Sequence, residues 1–259
     1  MTQEEKRIYL IKYLLKENNK YNDVIIPSDA TEQKNLLRGL FNVRLPAAID
    51  DEFLKIQDEY LKEEILSKGI TDVKNLSKVL DGIFLWKGDI TTLKCDAIVN
   101  AANSGLTGCY IPGHNCIDNA IHTYAGIELR NECNDIILKK GHEEETGKAE
   151  ITSAYNLPCR YVIHTVGPIV SGKLTKENEE DLKSCYLSCL KLATEHKLEN
   201  VAFCCISTGV FGFPNEEAAE IAIDTVKKYK KYIDSGIEVI FNVFKQYDYE
   251  IYERLLRRH

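Results

Sequence analysis

Apolar positions in the first third of the chain recur at helical spacing. Thr2-x-x-Glu5, a capping-box pattern, precedes Ile8, Ile11 and Leu15, and Asp29 with Glu32 precedes Leu36, Leu37 and Leu40. Phe53, Ile56 and Tyr60 form a further stripe, which Gly69 can close. The spacing predicts helices up to about Asp81. From Ile83 the pattern changes to short runs rich in β-branched and aromatic residues, at 83–86, 97–99, 161–165, 201–206 and 237–243. Long helical patterns follow at 178–196, at 215–232 and from Tyr247, the first two opening on Asn178 and Asn215 as N-caps. Strands alternating with helices predict α/β architecture. Residues 1–80 read as a helical N-terminal extension and 81–259 as the α/β domain, with no internal repeat and no low-complexity linker.

Composition narrows the class of function. With 44% hydrophobic residues over 259 positions, the chain can bury a full core, which excludes a disordered or fibrous protein. Lys and Arg number 33 against 40 Asp and Glu, so a net charge of -7 offers no field for a nucleic-acid backbone. A small anion can still be held by backbone N–H groups. No apolar run reaches a membrane span, and the start Met1-Thr2-Gln3-Glu4-Glu5-Lys6 is too charged for a secretory core. The expectation is a cytoplasmic protein without a membrane partner. Nine cysteines in such a chain are expected to be thiols, most of them packing residues: Cys185 and Cys189 on a helix, Cys204 and Cys205 in an apolar run.

In open α/β sheets ligands bind beyond the carboxyl ends of the strands, which directs attention to the loops at 88–91, 100–121 and 207–214. Asp89 follows a strand and can accept from a ligand amine or cap a turn. Asn100-Ala101-Ala102-Asn103 puts small residues and amides where a sugar could approach. The glycines of Ser207-Thr208-Gly209-Val210-Phe211-Gly212 permit a tight loop with N–H groups turned inward, suited to a diphosphate. That loop lacks the Lys-Ser/Thr ending of a P-loop and the spacing of a dinucleotide fingerprint.

Taken in order, Gly88-Asp89-Ile90-Thr91, Asn100-Ala101-Ala102-Asn103, His164-Thr165-Val166-Gly167-Pro168 and Ile206-Ser207-Thr208-Gly209-Val210-Phe211-Gly212 closely resemble the macrodomain family, from about residue 80 onward. The resemblance implies a three-layer α/β/α fold with a mixed central sheet that binds ADP-ribose across the strand-end crevice. By it, Asp89 holds the adenine amine with Ile90 beside it, and Ser207, Thr208, Gly209, Val210 and Phe211 wrap the diphosphate. Asn103 reaches the distal ribose and orients it, Ile117 is a further ligand-binding residue, and Asp118 falls at the helix-start acid of the commoner hydrolytic macrodomains, as general base or sugar orienter; Asn103 and Asp118 are the catalytic candidates. Phe241, Val243 and Phe244 would belong to the last core strand, with Tyr247 or Tyr249 toward the adenine.

The loop from Gly108 to His122 departs from the glycine-rich loop of the commoner hydrolytic macrodomains and resembles the zinc-dependent branch of the family. Cys109-x4-His114-x-Cys116 also reads as a zinc set in its own right, with two soft sulfurs and an imidazole in a loop that Pro112 and Gly113 can fold tightly. Three protein ligands leave one position open, the pattern of a catalytic zinc, one ion per chain. Such an ion either lowers the pKa of a water or polarises a ribose hydroxyl. A fourth ligand, Cys133 or His122, stays open at this point. His122 reads otherwise as structural, His142 as a solvated loop residue and His164 as core.

The activity implied is hydrolysis of mono-ADP-ribose from protein side chains, often acidic ones. The partner implied is a lipoylated carrier protein modified by a sirtuin-like transferase. Two rivals remain: a module that binds ADP-ribose without cleaving it, and an O-acetyl-ADP-ribose deacetylase. Release of free ADP-ribose from a modified protein separates the first, and relative rates on ester and protein separate the second.

Overall fold

The computed structural model describes residues 1–233 and 236–258. Helices α1 (Gln3–Lys16), α2 (Ala30–Val43) and α3 (Asp51–Lys68) form on the three apolar stripes. Thr2 and Glu5 complete the capping box of α1, Asp29 accepts from the N–H groups of Thr31 and Glu32, and Asp50 accepts from Phe53. Gly69 ends α3 at φ 85°, which a residue with a Cβ would adopt only under strain. The buried faces of these helices, among them Leu10, Leu37, Phe41 and Phe53, make a small core of their own that also takes in Ile127.

The rest alternates strands and helices: β1 (Thr71–Asp72), β2 (Lys78–Leu80), β3 (Ile83–Lys87), β4 (Leu93–Lys94), β5 (Ala97–Ala102), α4 (Ile117–Ala125), α5 (Ile127–Lys140), β6 (Ala149–Ser153), β7 (Tyr161–Val166), α6 (Lys176–Glu195), β8 (Asn200–Phe203), α7 (Asn215–Tyr232), β9 (Glu238–Val243) and α8 (Gln246–Arg257). Seven strands form one sheet in the order β2-β3-β9-β8-β5-β7-β6, with β1 and β4 paired separately. Its interior pairs are parallel, while the edge strands β2 and β6 run antiparallel, so the sheet is mixed. On one face α6 packs on α7 and α7 on α8; on the other lie α4 against β5, α5 against β6, and α3 beside α4. No helix among the described residues is long and apolar enough to cross a membrane.

Several elements differ from the sequence reading for identifiable reasons. Helix does not continue to Asp81: it stops at Gly69, and β2 is an edge strand whose alternation is too short to register. Strand β5 runs on through Asn100 to Ala102 because Asn100, fully buried, finds partners for its amide inside the protein. Helix α6 is capped by Thr175, with Asn178 as the third residue of a capping box, and α7 follows Pro214 with no side-chain cap. Phe244 lies just past β9 and is 76% exposed, so it is not a core residue as expected. Helix α5 and the edge strand β6 have no counterpart in the sequence reading.

Candidate active site at the strand-end crevice

The chain leaves β5 toward β7 on one side and leaves β8 toward β9 on the other, so neighbouring β5 and β8 form the switch point of the sheet. Loops leaving the carboxyl ends of these strands diverge there, the position at which open α/β sheets bind ligands. The loop after β5 carries Asn103 and the Cys-His-Cys pattern, and the loop after β8 carries residues 207–213. The loop after β3 joins them from beyond β9, since the Gly88 N–H donates to Val243 O at 3.0 Å and Asn242 Nδ2 to Gly88 O at 3.0 Å.

At that outer end Asp89 caps a single 3-10 turn, Ile90–Thr92. Its Oδ1 accepts from Thr91 N at 3.0 Å and Thr91 Oγ1 at 2.6 Å, and its Oδ2 pairs with Lys68 Nζ at 2.9 Å. Burial alone would raise the carboxyl, but the bonds from Thr91 and Lys68 outweigh it and hold Asp89 below its ordinary value. It is therefore a ready acceptor. Ile90 is buried in the core, which leaves its main chain as what it can offer a ligand. Lys68, at the end of α3, also lies over the Tyr124 ring at 3.4 Å. Exposed Phe244 stands at the same strand end, and Tyr247 is exposed beyond it, while Tyr249 packs against the core.

In the loop after β8, Ser207 adopts φ 63°, a strained conformation for a residue with a side chain. Its hydroxyl is buried with no hydrogen-bond partner among the described residues, and strain with an unmet polar group is a combination that clusters at binding loops. Gly209 and Val210 are exposed, and among the described residues nothing accepts the N–H groups of Gly209, Val210 or Phe211. Thr208 bonds back to Cys205 O, and Gly212 at φ 68° closes the turn on Gly209 O. A short arc of free N–H donors is an anion cradle. Gly167, in the His164 to Pro168 motif, sits where a Cβ would overlap the Ser207 hydroxyl and come within 2.9 Å of Ile206 Cγ2. Gly167→Ala is expected to cost about 1 to 3 kcal/mol of stability in urea unfolding, with part of the loss recovered when Ser207 is also changed to glycine.

At the inner end Asn103 closes the base of its loop, donating Nδ2 to Gly108 O at 3.0 Å. Cys109, His114 and Cys116 are half-buried, and their donor atoms lie within 4.8 Å of one another. Cys109 Sγ and His114 Nδ1 are 3.7 Å apart. Sulfur and nitrogen donors on a tetrahedral zinc sit about 3.6 Å apart from ordinary bond lengths, so chemistry and spacing both fit that ion. Cys116 is also the N-cap of α4, its sulfur accepting from Asn119 N at 3.4 Å, and burial pushes its thiol up to about 11. His122 and Cys133 do not join this set. They cluster with His164 in a separate, fully buried group, so among the described residues the loop offers three candidate ligands.

Two residues further on, Asp118 lies in the first turn of α4, buried, with Oδ1 accepting from Asn100 Nδ2 at 2.8 Å. Burial pushes its carboxyl up to about 6, against the pull of Asn100 and of Arg130. Asn100 Nδ2 also faces His164 Nδ1 at 3.2 Å, and Thr152 Oγ1 meets His164 Nε2 at 3.0 Å. Burial holds His164 down to about 3, so it is a neutral member of this network, a core residue as expected. Ile117, half-buried, packs against the core beside Asp118. His122 is buried with its ring where a Cβ on Gly108 would be, and His142 is exposed.

A family model described as Macro domain matches residues 99–222. The chain is 55% identical to a protein-ADP-ribose hydrolase of Treponema medium over 99% of its own length and 100% of that protein. It is 49% identical to a protein-ADP-ribose hydrolase of Staphylococcus aureus, over 96% of this chain and 94% of that one. Its structure matches that of a Trypanosoma brucei macrodomain in complex with ADP-ribose with a TM-score of 0.66 at 30% identity, over 85% of this chain and 94% of that one.

Proposed function

The chain belongs to the macrodomain family, and from that we propose that it binds ADP-ribose across the strand-end crevice and hydrolyses mono-ADP-ribose from modified proteins. One observation carries the reading. Strands β3, β5 and β8 run parallel, and the loops at their carboxyl ends carry a polar acceptor at Asp89, an arc of N–H groups at 209–211 with no acceptor among the described residues and, after β5, a buried carboxyl beside a Cys-His-Cys loop. These match in order an amine-bearing base, a diphosphate and a sugar whose anomeric bond is to be broken.

In this account Asp89 accepts the adenine amine beside the Ile90 main chain. Ser207, Thr208, Gly209, Val210 and Phe211 hold the diphosphate, Ser207 by the hydroxyl that otherwise has no partner. Asn103 and Ile117 position the distal ribose. The bond from its anomeric carbon to the protein's carboxylate oxygen breaks, water supplies hydroxyl to the carbon, and Asp118 takes the proton of that water as general base. Asn100 holds Asp118 at its post through Oδ1, leaving Oδ2 for the reaction. Cys109, His114 and Cys116 would hold one zinc ion, which when bound supplies Lewis-acid charge at the reacting end of the sugar.

The substrate we propose is an acidic side chain of a lipoylated carrier protein modified by a sirtuin-like transferase, and the compartment is the cytoplasm, where the cysteines stay reduced. Incubation with a mono-ADP-ribosylated protein tests the reading: free ADP-ribose should accumulate, whereas a module that only binds would retain the modified protein unchanged. A rate on O-acetyl-ADP-ribose far above that on the protein would favour the esterase instead. Asp89→Ala should weaken ADP-ribose by about 1.5 to 3 kcal/mol in calorimetry. Wild-type affinity for AMP equal to that for ADP-ribose would contradict a cleft that holds the whole ligand.

A further inference from the structure

We infer that helix α2 of the N-terminal segment is the outer frame of the loop bearing Cys109, His114 and Cys116, and that Arg38 is the positioning residue that presets this loop; its relevance to a metal rests on the function proposed above. The loop needs a frame. Ile111, Pro112, Gly113 and Asn115 are exposed, and Gly113 sits at φ 64°. The loop's own hydrogen bonding within this stretch is one turn, His114 N to Ile111 O at 3.2 Å.

The missing restraints come from α2. Arg38 Nη2 donates to His114 O at 3.0 Å, and its Nε and Nη2 both donate to Asn119 Oδ1, at 3.2 and 2.9 Å. Asn119, fully buried, passes the restraint on: its Nδ2 donates to Ile111 O at 3.0 Å and its N–H to Cys116 Sγ. One turn along α2, Asn42 Oδ1 accepts the Gly113 N–H at 2.9 Å, while Asn42 Nδ2 is tied to Thr123 Oγ1 at 2.9 Å. Gly39, between them, faces Pro112: a Cβ there would stand 3.6 Å from that of Pro112, an ordinary contact. A planar guanidinium reaches two acceptors at fixed angles, which a lysine ammonium cannot reproduce. The His114 carbonyl is thus held by the Arg38 side chain and the Cys116 sulfur by the Asn119 N–H, groups outside the candidate ligand set, the arrangement by which outer-shell groups set a site's affinity.

Hydrogen exchange on the metal-free full chain tests the frame, and cobalt titration tests its reach to the site. In Arg38→Met, amides at 110–116 should exchange at least about tenfold faster, while those of β5 and β7 and the melting temperature stay near wild type. Cobalt, read from its thiolate charge-transfer bands, should bind about 10- to 100-fold more weakly, and Arg38→Lys should recover only part of that affinity. Unchanged exchange at 110–116 overturns the inference, as does a rise spread evenly over the whole domain. Faster loop exchange in the variant, with no cobalt bound by wild type, would uphold the frame and overturn the zinc reading alone.

Discussion

Cys109→Ala is expected to lower release of ADP-ribose from a modified protein by about a thousandfold or more, since a lost metal forfeits several kcal/mol of transition-state stabilisation. Affinity for ADP-ribose and the melting temperature should remain close to wild type. Cys109 suits this test better than Cys116. Its sulfur faces the His114 ring and Cys116, whereas Cys116 also caps α4, and losing that cap would confuse stability with chemistry. The macrodomain core, from Phe84 through Phe203 to Phe241, is assembled without the loop. If the loop were a structural staple, binding and turnover would fall together. A variant with wild-type turnover would remove zinc from the account.

Asp118→Asn should lower turnover by about a hundredfold to ten-thousandfold, the range for loss of a general base. The amide keeps an oxygen where Asn100 Nδ2 donates, so the buried network and the start of α4 survive the change. ADP-ribose affinity should shift little if, as proposed, the residue acts at the reacting sugar and not at the adenine or diphosphate. Equal losses in turnover and affinity would reduce Asp118 to a helix-start residue that orders the sugar pocket. Unfolding in urea must accompany the kinetics, since removing a buried charge can itself change stability.

Much of the fold is legible because the long helices and inner strands obey simple periods. Apolar stripes at 3.6 residues place α1, α2, α3, α6 and α7, and runs rich in apolar residues place β3 and the deeply buried β7 and β9. What escapes is what depends on partners distant in sequence. Asn100 reads as a loop residue until Asp118 and His164 are found beside it. Edge strands β2 and β6 have too little alternation to stand out, and Phe244 passes for core because its neighbours are core.

The candidate site divides in the same way. Asp89, Ser207 to Phe211, Asn103, Asp118 and the Cys-His-Cys set lie in short local motifs and can be found by reading along the chain. Lys68, Arg38 and Asn42 cannot, since each lies in a helix with no chemical motif and meets its partner 21, 76 and 71 residues away. The signal that could have found them is weak: charged or amide residues on the flank of an amphipathic stripe, where a solvated reading is the ordinary one.

The most direct test of the central claim compares one preparation in two states, stripped of metal by a strong chelator and then reloaded with zinc, on the same mono-ADP-ribosylated protein. The account predicts about one zinc bound per chain after reloading, free ADP-ribose released only in the reloaded state, and unchanged melting in both. Equal release by the stripped protein would contradict it.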